Sequence, residues 1–357
     1  MNRQVLLLTE NLGSGGAERQ LVGLAAFLKE RGYDVTVVTW LNNQFYEPYL
    51  HKHNVKYIFV PSLHNKFTRP WHVAKLIHKL NAEIVITFLP SANKAACIAR
   101  ILLKFRLIVS ERSHTNSFGL GIKTQYILYR KANWIVANSR SEADNICSHF
   151  PMLKKKITAI PNFVDTEKFC PPTNKKTQTE IKILCVGRII PEKNDLNLIE
   201  AIAYLRQEGC PIIVKWVGSM YHKEYVKQVE ERIHKHSLQN IFKLQDQTDD
   251  IVSEYQHADI FCLSSFYEGY PNVLVEAMSC GLPVICSNVC ENPCIVQENK
   301  NGFLFNPHNV DDIAITTRRI IELPEVERFR IGQFNRKCVI ENNSSNSFVE
   351  KYITLIK

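Results

Sequence analysis

The stretch SSFYEGYPNVLVEAMSCGLPVI, residues 264–285, indicates how the second half of this chain folds. Pro271 suits the first turn of a helix, and Gly281 suits the position just after a helix ends. We therefore predict a helix from Asn272 to Cys280, and the apolar letters LPVIC after it predict a buried strand. A loop, a buried helix and a strand in this order are typical of an α/β fold with a parallel sheet.

Two acids lie in this otherwise apolar stretch. Glu268 falls in the predicted loop and Glu276 on the predicted helix, with seven residues between them. The helix is apolar on nearly every side, which predicts that it is buried. A buried carboxylate is unfavourable unless it is paired or hydrogen bonded. Glu276 could therefore bond to backbone or to an internal Arg, or it could accept hydrogen bonds from a polyhydroxyl ligand.

The size and composition of the chain suit a protein of two ordinary domains. It has 357 residues, of which 45% are hydrophobic and 22% charged. It lacks an apolar run of about eighteen residues, so we predict no membrane-spanning helix. The first letters, MNRQVLLLTENLG, are typical of a first strand rather than a signal peptide, and we expect a cytoplasmic protein.

The eleven cysteines mostly fall in apolar runs, such as ILCVG and IFCLS. This placement predicts reduced, buried thiols in a reducing compartment. Cys286, Cys290 and Cys294 are regularly spaced, but a fourth ligand is not close by in the sequence. We therefore predict no metal site here.

The formal net charge of the chain is +9, and many of the positive residues fall in the N-terminal half. Such charge can simply form a solvated face. It can also attract an anionic membrane surface or a phosphorylated substrate. Zinc-finger spacing and aromatic RNA-binding motifs are not found, so we expect no nucleic-acid partner.

Apolar strands alternate with helical patterns before and after the polar segment CPPTNKKTQTE. We predict an N-terminal domain over 1–168, a linker over 169–180, a C-terminal domain over 181–340 and a final helix over 341–357. The final helix can pack back on the first domain. The fold class is α/β, with two Rossmann-like domains expected to face each other across a cleft that holds the ligands.

The segment TENLGSGGAERQ places Gly13, Gly15 and Gly16 between the first strand and the first helix. It matches neither the G-x-G-x-x-G dinucleotide fingerprint nor a P-loop. These glycines can form a tight turn, or they can let backbone N–H groups approach a phosphate at the start of the helix.

The segment VGRIIPEKN places Arg188 and Lys193 after the first strand of the second domain. Two cations at the carboxyl end of a strand would suit a diphosphate. The alternative is a solvent-facing loop with a surface pair between Arg188 and Glu192. The chain has no Asp-x-Asp, the usual carboxylate pair for a divalent metal, so the two cations could neutralise a leaving diphosphate instead. We expect no metal and no cofactor.

These segments together resemble the family 4 glycosyltransferases, which are retaining enzymes of the GT-B fold. In the second half of the chain, the resemblance rests on the segments VGRIIPEKN, ADIFCLSSFYEGYPNVLVEAMSCGLPVI and NGFLF. In the first half, it rests on GSGGAERQ, ANSRSEADNI and IPNFVDTEKF. It implies transfer of a sugar from a nucleotide-diphosphate sugar, the co-substrate, to an acceptor hydroxyl. It also implies a glycan or lipid-linked acceptor in cell-envelope polysaccharide, lipopolysaccharide or capsule synthesis, with peripheral membrane contact through the first domain.

The resemblance also implies roles for individual residues. Glu276 would hold the ribose hydroxyls of the donor, and Glu268 would lie beside the donor sugar. Arg188 and Lys193 would bind the diphosphate and act in catalysis together with Glu268. The remaining residues implied in donor binding are Gly15, Gly16, Gly269, Tyr270, Pro271 and Asn272.

The chain departs from the family pattern in three places. The loop that often carries a His beside the reacting sugar reads VSERSHTN here, and Glu111, Arg112 and His114 are all candidates for that position. Phe163 stands where the family often has Gly. Pro293 and Cys294 stand where it often has Pro-Glu, which puts the usual contacts of that loop in doubt.

Two other functions fit the same fold. A nucleotide-sugar epimerase would convert the donor alone and would release no glycoside. A non-catalytic nucleotide-sugar-binding protein would need no cations to stabilise a leaving group, so Arg188 and Lys193 favour the transferase.

Overall fold

The computed structural model describes residues 3–112, 119–173 and 180–357. The chain divides into two compact units, which we call unit 1 (Met1–Phe163 with Ser345–Lys357) and unit 2 (Val164–Ser344). The division falls before the predicted boundary at residue 168, because the Val164 N–H donates to the Asn343 carbonyl at 2.8 Å. Half of the predicted linker, residues 174–179, lies outside the described residues.

The sheet of unit 1 is parallel, with the strand order β3-β2-β1-β4-β5-β6-β7. Its strands are β1 Gln4–Leu8, β2 Asp34–Thr39, β3 Lys56–Phe59, β4 Ile84–Phe88, β5 Arg106–Glu111, β6 Trp134–Ala137 and β7 Ile157–Ala159. The helices between them are α1 Gly16–Glu30, α2 Glu47–Lys52, α3 Arg69–Lys79, α4 Pro90–Leu102, α5 Leu120–Tyr129 and α6 Arg140–His149, with short 3-10 helices at Pro61–Leu63 and Pro151–Leu153.

The sheet of unit 2 is also parallel, with the strand order β10-β9-β8-β11-β12-β13. Its strands are β8 Ile181–Val186, β9 Ile212–Val217, β10 Phe242–Gln245, β11 Ile260–Leu263, β12 Val284–Ser287 and β13 Gly302–Phe305. Its helices are α7 Asp195–Gln207, α8 Lys223–Lys235, α9 Ile251–His257, α10 Asn272–Ser279, α11 Asn292–Ile295, α12 Val310–Ile321 and α13 Glu325–Asn343, with a 3-10 helix at Pro191–Lys193.

The strand order reverses beside the first strand of each unit, between β1 and β4 in unit 1 and between β8 and β11 in unit 2. At such a point the two following loops turn to opposite sides and leave a crevice at the carboxyl edge of the sheet. The central strands are covered on both faces, which explains their continuous apolar runs. The prediction of two parallel α/β domains is confirmed.

The last helix, α14 Ser345–Ile356, packs on unit 1. Phe348 and Tyr352 lie in the apolar core beneath α1, and Arg31 of unit 1 forms an ion pair with Glu350 at 3.1 Å. The helix begins later than the predicted residue 341 because residues 341–343 are the last turn of α13. Ser344, with an extended ψ of 157°, separates the two helices.

The helix predicted from the opening stretch is α10, with Pro271 as its N-cap and Cys280 as its C-cap. Gly281 follows with a φ of +76°, which favours glycine. The carbonyl oxygen of Gly281 lies against α13, where a Cβ placed on Gly332 would come within 1.9 Å of it. Gly332 is therefore required for the close packing of α13 on the segment that carries Glu276.

We predict that Gly332→Ala lowers the free energy of unfolding of unit 2 by about 1–3 kcal/mol or more, because backbone must move to admit the methyl group. Gly121→Ala is the matched control, since Gly121 is also helical but has open space around its Cα. The control should be neutral or stabilising by up to about 1 kcal/mol. Urea unfolding followed by circular dichroism measures both, and equal midpoints for the two variants would contradict the packing argument.

Candidate active site

The crevice beside β8 brings two predicted loops together. One follows β8 and carries Arg188 and Lys193, and the other follows β11 and carries Glu268. The Phe266 N–H donates to the carbonyl of Glu192 at 2.9 Å, and the Ser264 hydroxyl donates to the carbonyl of Lys193 at 2.8 Å. The predicted cations and the predicted acid therefore belong to one site at the carboxyl edge of the sheet of unit 2.

Lys193 and Glu268 form an ion pair. The Lys193 Nζ lies 2.5 Å from Glu268 Oε1, and the two side chains are only 18% and 11% exposed. The Ser265 hydroxyl donates to the same carboxylate oxygen at 2.6 Å. The ammonium and the carboxylate thus fix each other's position with little competition from water.

Arg188 differs from Lys193 because it is exposed and has no hydrogen-bond or ion-pair partner among the residues that the structure describes. The alternative surface pair between Arg188 and Glu192 does not form within those residues. Arg188 therefore presents a cation at the end of β8 whose charge is not shared with a neighbouring carboxylate.

Asn194 connects the loops of this site and was not predicted from the sequence. It has a left-handed backbone (φ 59°), which asparagine tolerates better than most residues, and it is buried. Its Nδ2 donates to the carbonyl of Ser264 at 3.1 Å and to the carbonyl of Pro307 at 2.8 Å. The residue next to Lys193 thus joins the loops that follow β8, β11 and β13.

Glu276 lies on α10 and is 6% exposed, as its apolar helix predicted. The Tyr255 hydroxyl donates to its Oε2 at 3.2 Å. The carboxylate therefore has at least one internal hydrogen-bond donor, the Tyr255 hydroxyl.

A short segment connects Glu268 to α10. It consists of Gly269, Tyr270 and Pro271, and it is followed by Asn272, the first residue of the helix. The Tyr270 side chain points into the core of unit 2, where its hydroxyl accepts a hydrogen bond from Asn343 Nδ2 at 2.6 Å. Burial raises the pKa of Tyr270 well above its ordinary value. The tyrosine therefore anchors the loop through its side chain, which suits the prediction that this loop meets the donor through its backbone.

Gly15 and Gly16 lie at the start of α1, where Gly15 is the N-cap and Gly16 the first helical residue. A Cβ on Gly15 would come within 2.2 Å of Glu18 Oε2. The Gly13 N–H donates to Asn11 Oδ1 at 2.7 Å, which closes the turn before the helix. The structure thus shows a turn, and phosphate binding at Gly15 and Gly16 stays a prediction.

Glu111 ends β5 and is buried, with a side chain 1% exposed. It accepts hydrogen bonds from the Tyr129 hydroxyl, from Asn93 Nδ2 at 3.1 Å and from Gln125 Nε2 at 3.4 Å. Burial raises the pKa of Glu111 to about 7, although the bonds from Tyr129 and Asn93 act in the opposite direction. Glu111 is thus the centre of a buried polar network in unit 1.

Arg112 follows Glu111 and links β5 to the C-terminal helix. Its guanidinium donates to Asn162 Oδ1 at 2.8 Å and to the Tyr352 hydroxyl at 2.6 Å, and it lies 4.6 Å from the centroid of the Phe88 ring. Burial lowers the pKa of Arg112 from its ordinary value. The third candidate of this loop, His114, lies outside the described residues.

Two kinds of feature, a metal site and a membrane span, are missing from the described residues. Groups of three or more His, Cys, Asp or Glu that could hold a metal ion are not found among them. Nor does any helix within the described ranges have the length and apolar character needed to cross a membrane.

Two parallel-sheet α/β units in one chain are the architecture of the GT-B fold, and the family models identify the class as glycosyltransferase. The chain belongs to glycosyltransferase family 4: residues 14–168 match the family described as Glycosyltransferase Family 4, and residues 167–355 match Glycosyl transferases group 1. The resemblance to the family 4 glycosyltransferases that the sequence indicated is therefore confirmed.

Two relatives of this chain are named as glycosyltransferases. The UDP-Gal:alpha-D-GlcNAc-diphosphoundecaprenol alpha-1,3-galactosyltransferase of Escherichia coli is 34% identical over 182 residues, which span 47% of this chain and 46% of that enzyme. A Campylobacter jejuni alpha-1,4-N-acetyl-D-galactosaminyltransferase, named for a PP-undecaprenol acceptor, is 25% identical over 94% of this chain and 93% of its own. Relatives of this chain thus act on lipid-linked substrates.

Solved structures share the fold over nearly the whole chain. A glycosyltransferase from Rickettsia africae has a TM-score of 0.87 at 22% identity and covers 100% of this chain and 99% of its own. The Anabaena protein HepE in complex with UDP has a TM-score of 0.83 at 20% identity, with 99% of both chains covered.

We predict that Glu111 makes the stability of unit 1 depend on pH. The carboxyl ionises near 4.5 in the unfolded chain and near 7 in the folded one, so between these values only the unfolded chain releases its proton. The free energy of unfolding should therefore fall as pH rises through this window, by up to about 1.4 kcal/mol per pH unit from this group. Glu111→Gln has no proton to release and should lack this part of the slope.

Urea unfolding at several pH values between 5 and 7 measures the slope of the free energy of unfolding against pH. The expected slope corresponds to the release of about one proton on unfolding. Tryptophan fluorescence is a suitable signal because unit 1 holds Trp40, Trp71 and Trp134 whereas unit 2 holds Trp216. The exposed Glu83→Gln is the control and should follow the wild type. Equal slopes for Glu111→Gln and the wild type would show that Glu111 is ionised in the folded protein throughout this range.

Proposed function

We propose that this glycosyltransferase uses a nucleotide-diphosphate sugar and transfers its sugar to an acceptor hydroxyl with retention of the anomeric configuration. The observation that carries the proposal is the joining of the β8 and β11 loops, which brings Lys193 to Glu268 on the loop that also carries Arg188. Two similar structures, of HepE, contain UDP and UDP-glucose, which supports a nucleotide-sugar donor here.

In this proposal the donor lies along the carboxyl edge of the sheet of unit 2. Glu276 accepts hydrogen bonds from the ribose hydroxyls, and the backbone of Gly269 to Asn272 lies near the sugar and phosphates. Arg188 and Lys193 bind the diphosphate. Their contacts strengthen as the bond between sugar and phosphate breaks, because negative charge then grows on the leaving oxygen.

The proposed reaction is a substitution on one face of the sugar. The bond from the anomeric carbon to the diphosphate breaks, and the acceptor oxygen bonds to the same face. The acceptor proton passes to the leaving phosphate oxygen, so a protein nucleophile is not needed. The contacts of Glu268 support this step, because Lys193 and Ser265 both donate to its Oε1 and make the carboxylate a weak nucleophile.

We further propose that the acceptor is a glycan or a lipid-linked sugar of the cell envelope, bound by unit 1 at the cytoplasmic side of the membrane. The names of the E. coli and C. jejuni relatives, with their undecaprenol-linked substrates, support this choice. The family-model match and the named relatives favour a transferase over a binding protein.

We predict that variants of Glu276 and of the two cations fail in different ways. Ribose contacts are similar in ground and transition states, so Glu276→Gln should mainly raise the donor KM, by about one to two orders of magnitude. Arg188→Ala and Lys193→Ala should mainly lower kcat, by about a hundredfold or more. Steady-state kinetics on folded variants measures these effects.

Arg206→Ala is the matched control for the cations, since Arg206 is an exposed arginine of unit 2 on α7. It should retain wild-type kinetics. If Glu276→Gln lowered kcat alone while the cation variants changed only KM, the assigned roles would be reversed. Wild-type kinetics in all three site variants would place the donor elsewhere.

We also predict turnover without a divalent metal, because the sequence has no Asp-x-Asp pair and the two cations can take over charge neutralisation. Turnover in excess chelator should equal turnover without it, and NMR of the product should show the anomeric configuration of the donor. A loss of activity that magnesium or manganese restores, or an inverted product, would refute the corresponding part of the proposal.

A further inference from the structure

The positive charge of the chain is concentrated in one segment of unit 1. Residues 48–141 contain fifteen Lys and Arg but only two acids, Glu83 and Glu111, so the segment carries +13 of a chain whose total is +9. Glu111 is buried, which leaves Glu83 as the exposed acid of the segment. The rest of the chain carries a net charge of −4.

Three helices of this segment form one layer over the sheet. α3, α4 and α5 are neighbours in that order, and they pack on the same apolar core through residues such as Val73, Ala96 and Tyr126. Their opposite sides are exposed and carry both lysines and large apolar side chains. We call this surface the basic face and define it by the exposed residues Lys66, Phe67, Trp71, Lys75, Lys94, Leu120, Lys123 and Ile127.

The apolar side chains of the basic face are unusually exposed. Phe67 is 83% exposed, Leu120 81% and Trp71 56%. The Lys66 Nζ lies 5.1 Å from the centroid of the Phe67 ring, and the Lys75 Nζ lies 5.6 Å from that of Trp71. A ring with an ammonium group beside it suits the boundary of a bilayer, where the ring enters the acyl region and the charge stays at the headgroups.

We infer that the basic face is a docking surface for a membrane rich in anionic phospholipid. This inference rests on the proposed function and names the surface through which unit 1 would reach a lipid-linked acceptor. Phe67 precedes α3 and Leu120 begins α5, so both lie at the carboxyl edge of the sheet, the edge at which Arg112 also lies. The exposed aliphatic side chains favour lipid over nucleic acid, whose backbone is contacted mainly through charge and hydrogen bonds.

The charge of the face is tested by cosedimentation of the full chain with vesicles. Lys66→Glu/Lys75→Glu/Lys123→Glu should lower the partition coefficient on phosphatidylglycerol–phosphatidylcholine vesicles at least tenfold. The matched control is Lys227→Glu/Lys235→Glu/Lys337→Glu, which makes the same change in charge at exposed lysines of unit 2. The control should remain within about twofold of the wild type, since its lysines lie outside the contact surface.

The apolar part of the face is tested at high salt, where the attraction between exposed charges is screened. Phe67→Ala/Trp71→Ala should reduce the remaining vesicle binding severalfold. Val326→Ala/Phe329→Ala removes two exposed apolar side chains of unit 2 and should leave the binding unchanged.

Several outcomes would overturn the inference. They are no binding to anionic vesicles, equal binding to pure phosphatidylcholine vesicles, equal losses in the face and control variants, or tighter binding to a mixed-sequence oligonucleotide. Transfer to a water-soluble acceptor analogue is measured in parallel and should be unchanged in the face variants. If the wild type binds anionic vesicles but shows no transfer from any nucleotide sugar, the proposed function fails while the docking surface stands.

Discussion

The buried amide of Asn194 is the constraint on which the site of unit 2 depends. Its side chain donates to two carbonyls at once, those of Ser264 and Pro307, from a backbone that takes a left-handed turn. That turn ends the 3-10 helix that carries Lys193 and starts α7. The amide therefore holds the backbone next to Lys193, and the Lys193 ammonium pairs with Glu268 across the two loops.

Two glutamates at the carboxyl ends of central strands, the buried Glu111 and the partly buried Glu268, differ in the charge of their neighbours. Glu111 in unit 1 is surrounded by neutral donors, Tyr129 and Asn93, and burial raises its pKa to about 7. Glu268 in unit 2 faces the ammonium of Lys193 instead. The neutral donors around Glu111 satisfy a buried carboxyl group in the interior of unit 1. The contact at Glu268 pairs two opposite charges on loops that also carry the exposed cation Arg188, an arrangement that would suit the proposed anionic ligand.

The sequence predicted what local patterns determine. Pro271, Gly281 and the apolar letters between them predicted α10 and the strand after it, because caps and burial periodicity act over a few residues. It could not predict contacts between distant residues, such as the bond from Arg112 to Tyr352, which are 240 positions apart. It also placed the start of the last helix too early. The reason is that a single extended residue, Ser344, divides what is otherwise a continuous helical pattern.

The uneven charge of the chain suits the two different anions that we propose for its two units. A diphosphate is small and enters a crevice, so two cations at the end of one strand are enough, and Glu268 can even share one of them. A membrane surface is broad and wet, and each lysine there contributes little, so binding needs many cations over a wide face. In these proposals the basic segment 48–141 would bind through many weak contacts, and the β8 loop through a few close ones. The net charge of the whole chain therefore does not indicate the local charge of the basic segment or of the β8 loop.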